Sequence, residues 1–412
     1  IGISFSCDTK NTQRNHGGRT MIKCMSLFSQ ILSEMSLSPV SFEQLVMKHG
    51  NDRNAKGFTS KAQLVAMIFS HLARADSLRE ITNGLLCCNG KVKHLGIKAA
   101  PKRSTLAYAN EHRNADLYEE YFWKQLQHFR SRNMLEKSGK KFKFKNKLFL
   151  FDSTTISLCL SLFPWADYRQ TKGGVKVHVL LDQSDYMPSF ITITDAKIHD
   201  SAVSKTLNLK PGSIIAADRG YLDFEQFSRW NKSKIFFVTR MKDNICYKTV
   251  IHGCGVYGSN VRSDDQIILT GINTKIKYPK KLRLVTVWNE EKQEEIKILT
   301  NNFKLAASTI GAIYKERWEI ELFFKTLKQT LNVKTFIGTS ENALRIQIWT
   351  AMISLLIIRW LHHLSKMKWS FSVMSAMLRL NLFTYRPLPE WLDRPYETPP
   401  AVPVPEQQLI FN

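Results

Sequence analysis

Two apolar runs in this chain each close on an aspartate. Leu148-Phe149-Leu150-Phe151 leads into Asp152-Ser153-Thr154-Thr155, and Ile214-Ile215-Ala216-Ala217 leads into Asp218-Arg219-Gly220-Tyr221. Four apolar residues in a row, with no polar alternation, suit a strand covered on both faces, and such strands need helices packed on either side. A carboxylate at the C-terminal end of a buried strand projects toward the crevice where α/β sheets hold their ligands. Further strands are expected at 175–181, 190–194 and 235–239, with helical connections at 201–207 and 223–230. The fold class is therefore α/β, a mixed sheet with flanking helices.

The flanks read differently. From residue 26 to 126 apolar positions recur at three and four residues, as in Leu64, Met67, Ile68 and Leu72, and Thr59 is a fitting N-cap. Residues 21–138 are accordingly an all-helical domain. Its helix opening at Lys102-Arg103-Ser104 could lie against DNA, placing Arg103, Ser104 and Asn110 on the nucleic acid, or could be a solvated helix of a small bundle. Residues 139–147 alternate lysine and phenylalanine, so an edge strand with one wet face is expected, with Lys140 and Lys141 available to a phosphate backbone. Residues 244–300 return to pure β with turn residues and form a β-rich insertion between the two parts of the core, 139–243 and 301–380. Residues 381–412, rich in proline, are expected to be a weakly ordered extended tail. The run 346–364 is broken by Gln347, Arg359 and two histidines, and reads as a buried helix too interrupted to cross a bilayer. Residues 1–20 are polar and precede Met21, so they are expected to be an unfolded or non-native leader and no signal peptide.

The charge narrows the partner. Lys and Arg number 59 against 35 Asp and Glu, a formal net charge of +24, which points to a polyanion, nucleic acid before a membrane surface. The seven cysteines show no CxxC pair and no regular disulfide spacing, as expected of reduced thiols in the cytoplasm.

A third carboxylate has to come from a long helix expected over 305–331. At about 100° per residue from Tyr314, Arg317 falls at roughly −60°, Glu321 at −20°, Lys325 at +20° and Lys328 at −40°, so these five share one face. Glu316 and Glu319 fall on the opposite side, as solvated charges or ion-pair partners. Asp152, Asp218 and Glu321 together offer the hard, all-oxygen ligation that two Mg²⁺ ions require for phosphodiester chemistry. Cations on the same helix face would meet the phosphates that the metals leave unneutralised. Asp182, Asp185, Asp195, Asp200, His178 and His199 lie in strand ends and turns, where capping is the default role, and are left out of the site.

The spacing Tyr314-x2-Arg317-x3-Glu321-x6-Lys328 resembles the Tyr-Arg-Glu-Lys signature of the insertion-sequence family 4 transposases, within the DDE, RNase H-like superfamily. Phe151-Asp152-Ser153-Thr154 is similar to that family's first catalytic block and Ala217-Asp218-Arg219-Gly220-Tyr221 to its second. The stretch from Trp165-Ala166 through Tyr168-Arg169 and Lys172-Gly173-Gly174 to Asp182 is similar to the segment after the first block in those enzymes. The resemblance runs from about Met21 to the tail and includes the helical N-terminal region of one bacterial subgroup. It implies an RNase H-like core in which Asp152, Asp218 and Glu321 bind Mg²⁺, or Mn²⁺ in its place, interrupted by a β insertion. It also implies that Tyr314, Arg317 and Lys328 contact phosphates near a cleaved transposon end, and that Trp288 of the insertion could hold a flipped base. Double-stranded DNA, held by a dimer, would be the partner. Two alternatives stand beside this. A transposase-derived protein that binds or represses without cutting need not keep all three carboxylates, and a two-carboxylate sugar hydrolase would leave the net charge unexplained.

Overall fold

The computed structural model describes residues 25–36, 40–88, 91–135, 141–158, 165, 167–169, 172–253, 260–331 and 337–397. At its centre are β1 (Leu148–Leu158), β3 (Lys172–Asp182), β4 (Met187–Asp195), β5 (Ile214–Ala217) and β6 (Phe236–Arg240), with a short β2 (Asp167–Arg169) at the far side of β3. Their order across the sheet is β4-β3-β1-β5-β6, with β1 antiparallel to β3 but parallel to β5, and β5 parallel to β6. This is the RNase H-like mixed sheet that the resemblance implies.

Period-two alternation sorts the strand residues between two cores. Leu148, Leu150, Ile214 and Ala216 face one side and pack with helical residues that include Ile320, Phe323 and Leu327. Phe149, Phe151, Ile215 and Ala217 face the other, against Phe224, Phe227 and Trp230 of the helix Phe224–Lys232. A run that is apolar at every position is thus buried on both faces.

β1 is longer than the apolar run. It pairs with β5 only as far as Phe151↔Ala217, then continues along β3 to Leu158↔Gly173. Ser153 to Ser157 therefore remain in a strand although most of them are polar, because one ladder carries them where the other has ended.

Residues 244–300 contain β7 (Tyr247–Ile251), β8 (Val261–Leu269), β9 (Leu282–Asn289) and β10 (Glu294–Thr300). Among the described residues the expectation of pure β fails at the short helix Ile272–Lys277 between β8 and β9. These strands extend the core sheet, since β10 pairs with β6 and the order runs on through β9 and β8 to β7.

The helical part begins with α1 (Leu27–Ser36), α2 (Phe42–His49), α3 (Ser60–Ala73), α4 (Leu78–Leu86), α5 (Arg103–His112) and α6 (Asp116–Ser131). Thr59 caps α3 by accepting from the Ala62 amide. α3, α5 and α6 pack on the apolar helix Glu341–Leu364, which shares one core with them and with the sheet. That helix is 24 residues, long and apolar enough to cross a membrane by length and composition alone, contrary to the reading of its interrupted run, but 89% of its apolar window is buried inside the protein. His71 of α3 joins the two parts: its Nδ1 lies 2.9 Å from the Leu331 carbonyl and its Nε2 3.0 Å from Thr350 Oγ1.

Two local expectations change. Residues 141–147 form no strand, yet Phe142 and Phe144 stack at 5.0 Å and turn inward while the lysines stay exposed. Hydrophobic alternation there reflects packing on the core without ladder bonds. The described part of the proline-rich tail, up to residue 397, holds a helix Leu388–Asp393 whose Trp391 is buried against Trp369. The prolines at its start supply a helical φ and remove no needed donor.

Candidate active site

Strand parity places the first two carboxylates. Positions 148, 150 and 152 point to one face of the sheet and 214, 216 and 218 to the same face, since Leu148↔Ile214 and Leu150↔Ala216 are register partners. Asp152 and Asp218 are the first residues past the last pair, Phe151↔Ala217. Two carboxylates thus emerge side by side where a parallel ladder opens. Asp152 Oδ1 accepts from the Ser153 amide at 2.8 Å, and Asp218 caps the 3₁₀ turn Arg219–Tyr221, with Oδ2 3.4 Å from the Gly220 amide.

Facing them is the expected long helix, in three segments: Ala307–Glu316, Trp318–Lys325 and a π turn at Thr326–Thr330. Arg317 keeps right-handed helical angles between the first two, so the predicted face is continuous to Lys325. Ile320, Phe323 and Phe324 bury the inner side of the middle segment. The guanidinium of Arg317 donates to Asp152 Oδ2 at 3.1 Å and to Glu321 Oε1 at 2.7 Å, and lies 5.8 Å over the Tyr314 ring. Lys328 Nζ, on the π turn, donates to the Thr155 carbonyl of β1 at 2.7 Å. Lys325 is exposed on the rim of a cleft of about 380 Å³ bordered by Asp152, Thr154, Glu321, Lys328 and Gln329. Of the residues predicted from strand ends and helix phase, the cleft brings together Asp152, Glu321, Lys325 and Lys328, while Asp218, Tyr314 and Arg317 do not line it.

Burial pushes the Asp152 carboxyl up to about 6, and Asp218 and Glu321 add to the rise while the Ser153 amide and Arg317 oppose it. Asp152 is thus near enough to feel both other carboxylates. Among the described residues no three His, Cys, Asp or Glu side chains converge on a single point as a preformed metal site. Between Asp152 and Glu321 the structure instead has the guanidinium, a cation drawn to the same oxygens. The donor set fits Mg²⁺: all oxygen, partly buried, and with one carboxylate that ionises at an energetic cost even beside Arg317.

Other predicted residues lie elsewhere. Asn110 is buried, with Oδ1 accepting from Gln63 Nε2 at 2.7 Å, so it packs inside the helical domain and cannot read DNA. Arg103 and Ser104, on the first turn of α5, are exposed as expected. Glu316 is an ion-pair partner, one of the two roles expected of it: Lys141 donates to it at 2.8 Å, and it is buried and also accepts from the Tyr186 hydroxyl. Lys140 lies outside the described residues. Trp288 is half-buried under Arg262, 5.5 Å from its ring, on a strand four places from β1, about 19 Å across the sheet at the usual strand spacing.

A group left out in the sequence reading borders the site. Asp200 accepts from Ser153 Oγ at 3.0 Å and Lys176 Nζ at 3.2 Å, and its Oδ1 is 3.8 Å from His178 Nδ1. Its partners are scattered over other elements, so no local spacing marked it. The one available signal was that Lys176 and His178 are next-but-one residues on a strand facing β1.

The chain was also compared with known proteins. The family described as "Transposase DDE domain" matches residues 143–357, and a domain of unknown function, DUF4372, matches residues 23–98. A probable transposase for insertion sequence element IS5377 of Geobacillus stearothermophilus is 32% identical over 233 residues, 56% of this chain and 61% of the relative. The putative transposase y4zB of Sinorhizobium fredii is 35% identical over 214 residues, 51% of this chain and 59% of the relative. A putative transposase for insertion sequence element IS4SA of Synechocystis is 27% identical over 263 residues, 63% of this chain and 71% of the relative. The chain thus spans about three-fifths of the first two. The matched family segment holds Asp152, Asp218 and the Tyr314 to Lys328 helix, and on that match the chain belongs to the transposase DDE domain family.

Proposed function

We propose that this protein is a transposase that binds the ends of an insertion sequence, cleaves the phosphodiester and joins the freed 3′-hydroxyl to target DNA. The observation that supports the reading is that Asp152 and Asp218 leave the sheet side by side where the β1–β5 ladder ends, with Arg317 bridging Asp152 to Glu321. Asp152, Asp218 and Glu321 would hold two divalent ions, Mg²⁺ or Mn²⁺. Bound there, such ions lower the pKa of a water or hydroxyl nucleophile and stabilise the leaving oxygen. The chain's own cations have the complementary task. Lys325 and Lys328 at the cleft rim attract the DNA backbone, and Arg317, with its planar fork of donors, suits a phosphate once it leaves the carboxylates. Arg103, Lys143 and Lys145, all exposed, add to the basic surface of a chain with a formal charge of +24. A homodimer on two DNA ends and a place in the bacterial cytoplasm, on the nucleoid, complete the proposal.

The test is cleavage of DNA flanking the coding region by the purified chain with Mg²⁺ or EDTA, beside Glu321→Gln. Cuts at inverted repeats that need the metal and fall about a hundredfold or more in the variant are expected. Cuts of equal rate in EDTA or in the variant would overturn it. Tight binding without cutting would favour a non-cleaving DNA-binding protein or repressor.

A further inference from the structure

We propose that Asp200 is a positioning residue of this site: it neutralises Lys176 and anchors Ser153, so that no uncompensated ammonium opposes the cations bound by Asp152 and Asp218. The inference rests on the metal-binding reading above. Asp200 opens the short helix Asp200–Ser204 and reaches both metal carboxylates through one intervening residue each. On one side its Oδ1 accepts from Ser153 Oγ, and the amide of that same Ser153 donates to Asp152 Oδ1 at 2.8 Å. On the other, a methyl group added to Gly220 would lie 3.7 Å from Asp200 Oδ2 and 3.9 Å from Asp218 Oδ2, so both oxygens border the same glycine.

The geometry sets Asp200 behind the reacting face. Ser153 has the parity of Phe151, away from the Glu321 helix, and its register partner on β3 is His178, two residues from Lys176. Lys176 is poorly placed to shed its charge into water. Its side chain is 15% exposed, and its ammonium is held by Asp200 and by the Ile198 carbonyl at 3.1 Å. With Asp200 ionised the pair is neutral. With Asp200 removed, an unneutralised positive charge in a partly buried position would stand behind the strand that carries Asp152, and the field between them would be weakly screened.

Mn²⁺ binding to the full chain without DNA, read from free Mn²⁺ by electron paramagnetic resonance, tests the proposal apart from turnover. Asp200→Asn keeps the shape and an acceptor for Ser153 but loses the charge. It is expected to raise the half-saturating Mn²⁺ concentration about tenfold, the low end for losing an outer-shell partner. Lys176→Met is expected to bind at least as tightly as wild type, and Lys176→Met with Asp200→Asn to return within about threefold of it. Wild-type binding in Asp200→Asn, a double variant as weak as Asp200→Asn, or equal weakening by Lys176→Met alone would each overturn the proposal. A wild-type chain that binds no Mn²⁺ would instead overturn the metal reading and this inference with it.

Discussion

Asp152→Asn is expected to destroy DNA cleavage and yet stabilise the metal-free protein. The Asp152 carboxyl titrates at about 6 in the fold against an ordinary 3.8, chiefly through burial, and its side chain is only 18% exposed. At 1.36 kcal/mol per pH unit, that difference makes the ionised form cost about 3 kcal/mol relative to the unfolded chain. The direction comes from linkage. A carboxyl whose folded pKa is raised contributes its full stability below the unfolded pKa, and that contribution is lost as pH climbs through the folded pKa. Asparagine has the shape of the protonated acid and does not ionise. In EDTA the variant should therefore gain up to about 3 kcal/mol near pH 8, falling to about 1 kcal/mol near pH 4.5. For a cooperative unit of a few hundred residues, the gain near pH 8 is roughly 5–10 °C in melting temperature. Scanning calorimetry of both proteins across that pH range measures it. Adding Mg²⁺ should raise the wild-type melting temperature and narrow the gap, because the ion binds the folded state through the carboxylate the variant lacks. A variant that melts at or below wild type near pH 8, or whose advantage is the same at every pH, would refute the account of why this carboxylate is strained.

Arg317→Ala removes the cation between Asp152 and Glu321, and in EDTA it should lower stability by about 1–3 kcal/mol in denaturant titrations; Arg317→Lys should recover little, having no planar fork to span two carboxylates. Trp391→Ala opens a cavity beside Trp369 and should cost about 3–5 kcal/mol by the same titrations, whereas a weakly ordered tail would leave the midpoint unmoved. Arg103→Ala should weaken DNA binding across sequences and reduce the salt slope by about one charge, with the melting temperature unchanged. Asn110→Ala should do the reverse, costing about 1–3 kcal/mol of stability through the unpaired Gln63 amide while leaving the salt slope intact.

Period and phase made part of the site legible in the sequence. Asp152 and Asp218 stood out because four apolar residues before each fixed a buried strand and the residues after each suggested an end. Only half of that was right: Asp218 does end its strand, while Asp152 sits mid-strand at the place where β1 parts from β5. Pairing partners decide such endings, and a single strand does not carry its partners. The helix face of Tyr314, Arg317 and Glu321 was legible for the same reason, since Arg317 keeps helical angles and the phase runs through it. Asp200 was not, because its partners Ser153 and Lys176 belong to other elements and meet it only once the sheet is assembled. The tail failed for a different cause, composition overruling packing, since prolines that suggest an extended chain also suit a helix start under a buried tryptophan.

Phase tells which residues share a face but not which way their charges are turned, and Arg317 shows the consequence. Sequence placed it among the cations meant for phosphates, while in the fold its two terminal nitrogens are given to Asp152 and Glu321. The same oxygens are the ones a divalent ion needs. Arg317 and a bound metal would therefore compete for the carboxylates, and the carboxylates and a DNA phosphate would compete for Arg317. Whatever frees the guanidinium toward a phosphate also frees two carboxylates for the ions, so metal and DNA should each strengthen the binding of the other by the same factor. On the proposed function such a chain would hold Asp152 and Glu321 together with its own arginine until both partners arrive, and the setting of Arg317 one helical turn before Glu321 is what lets one guanidinium span both carboxylates.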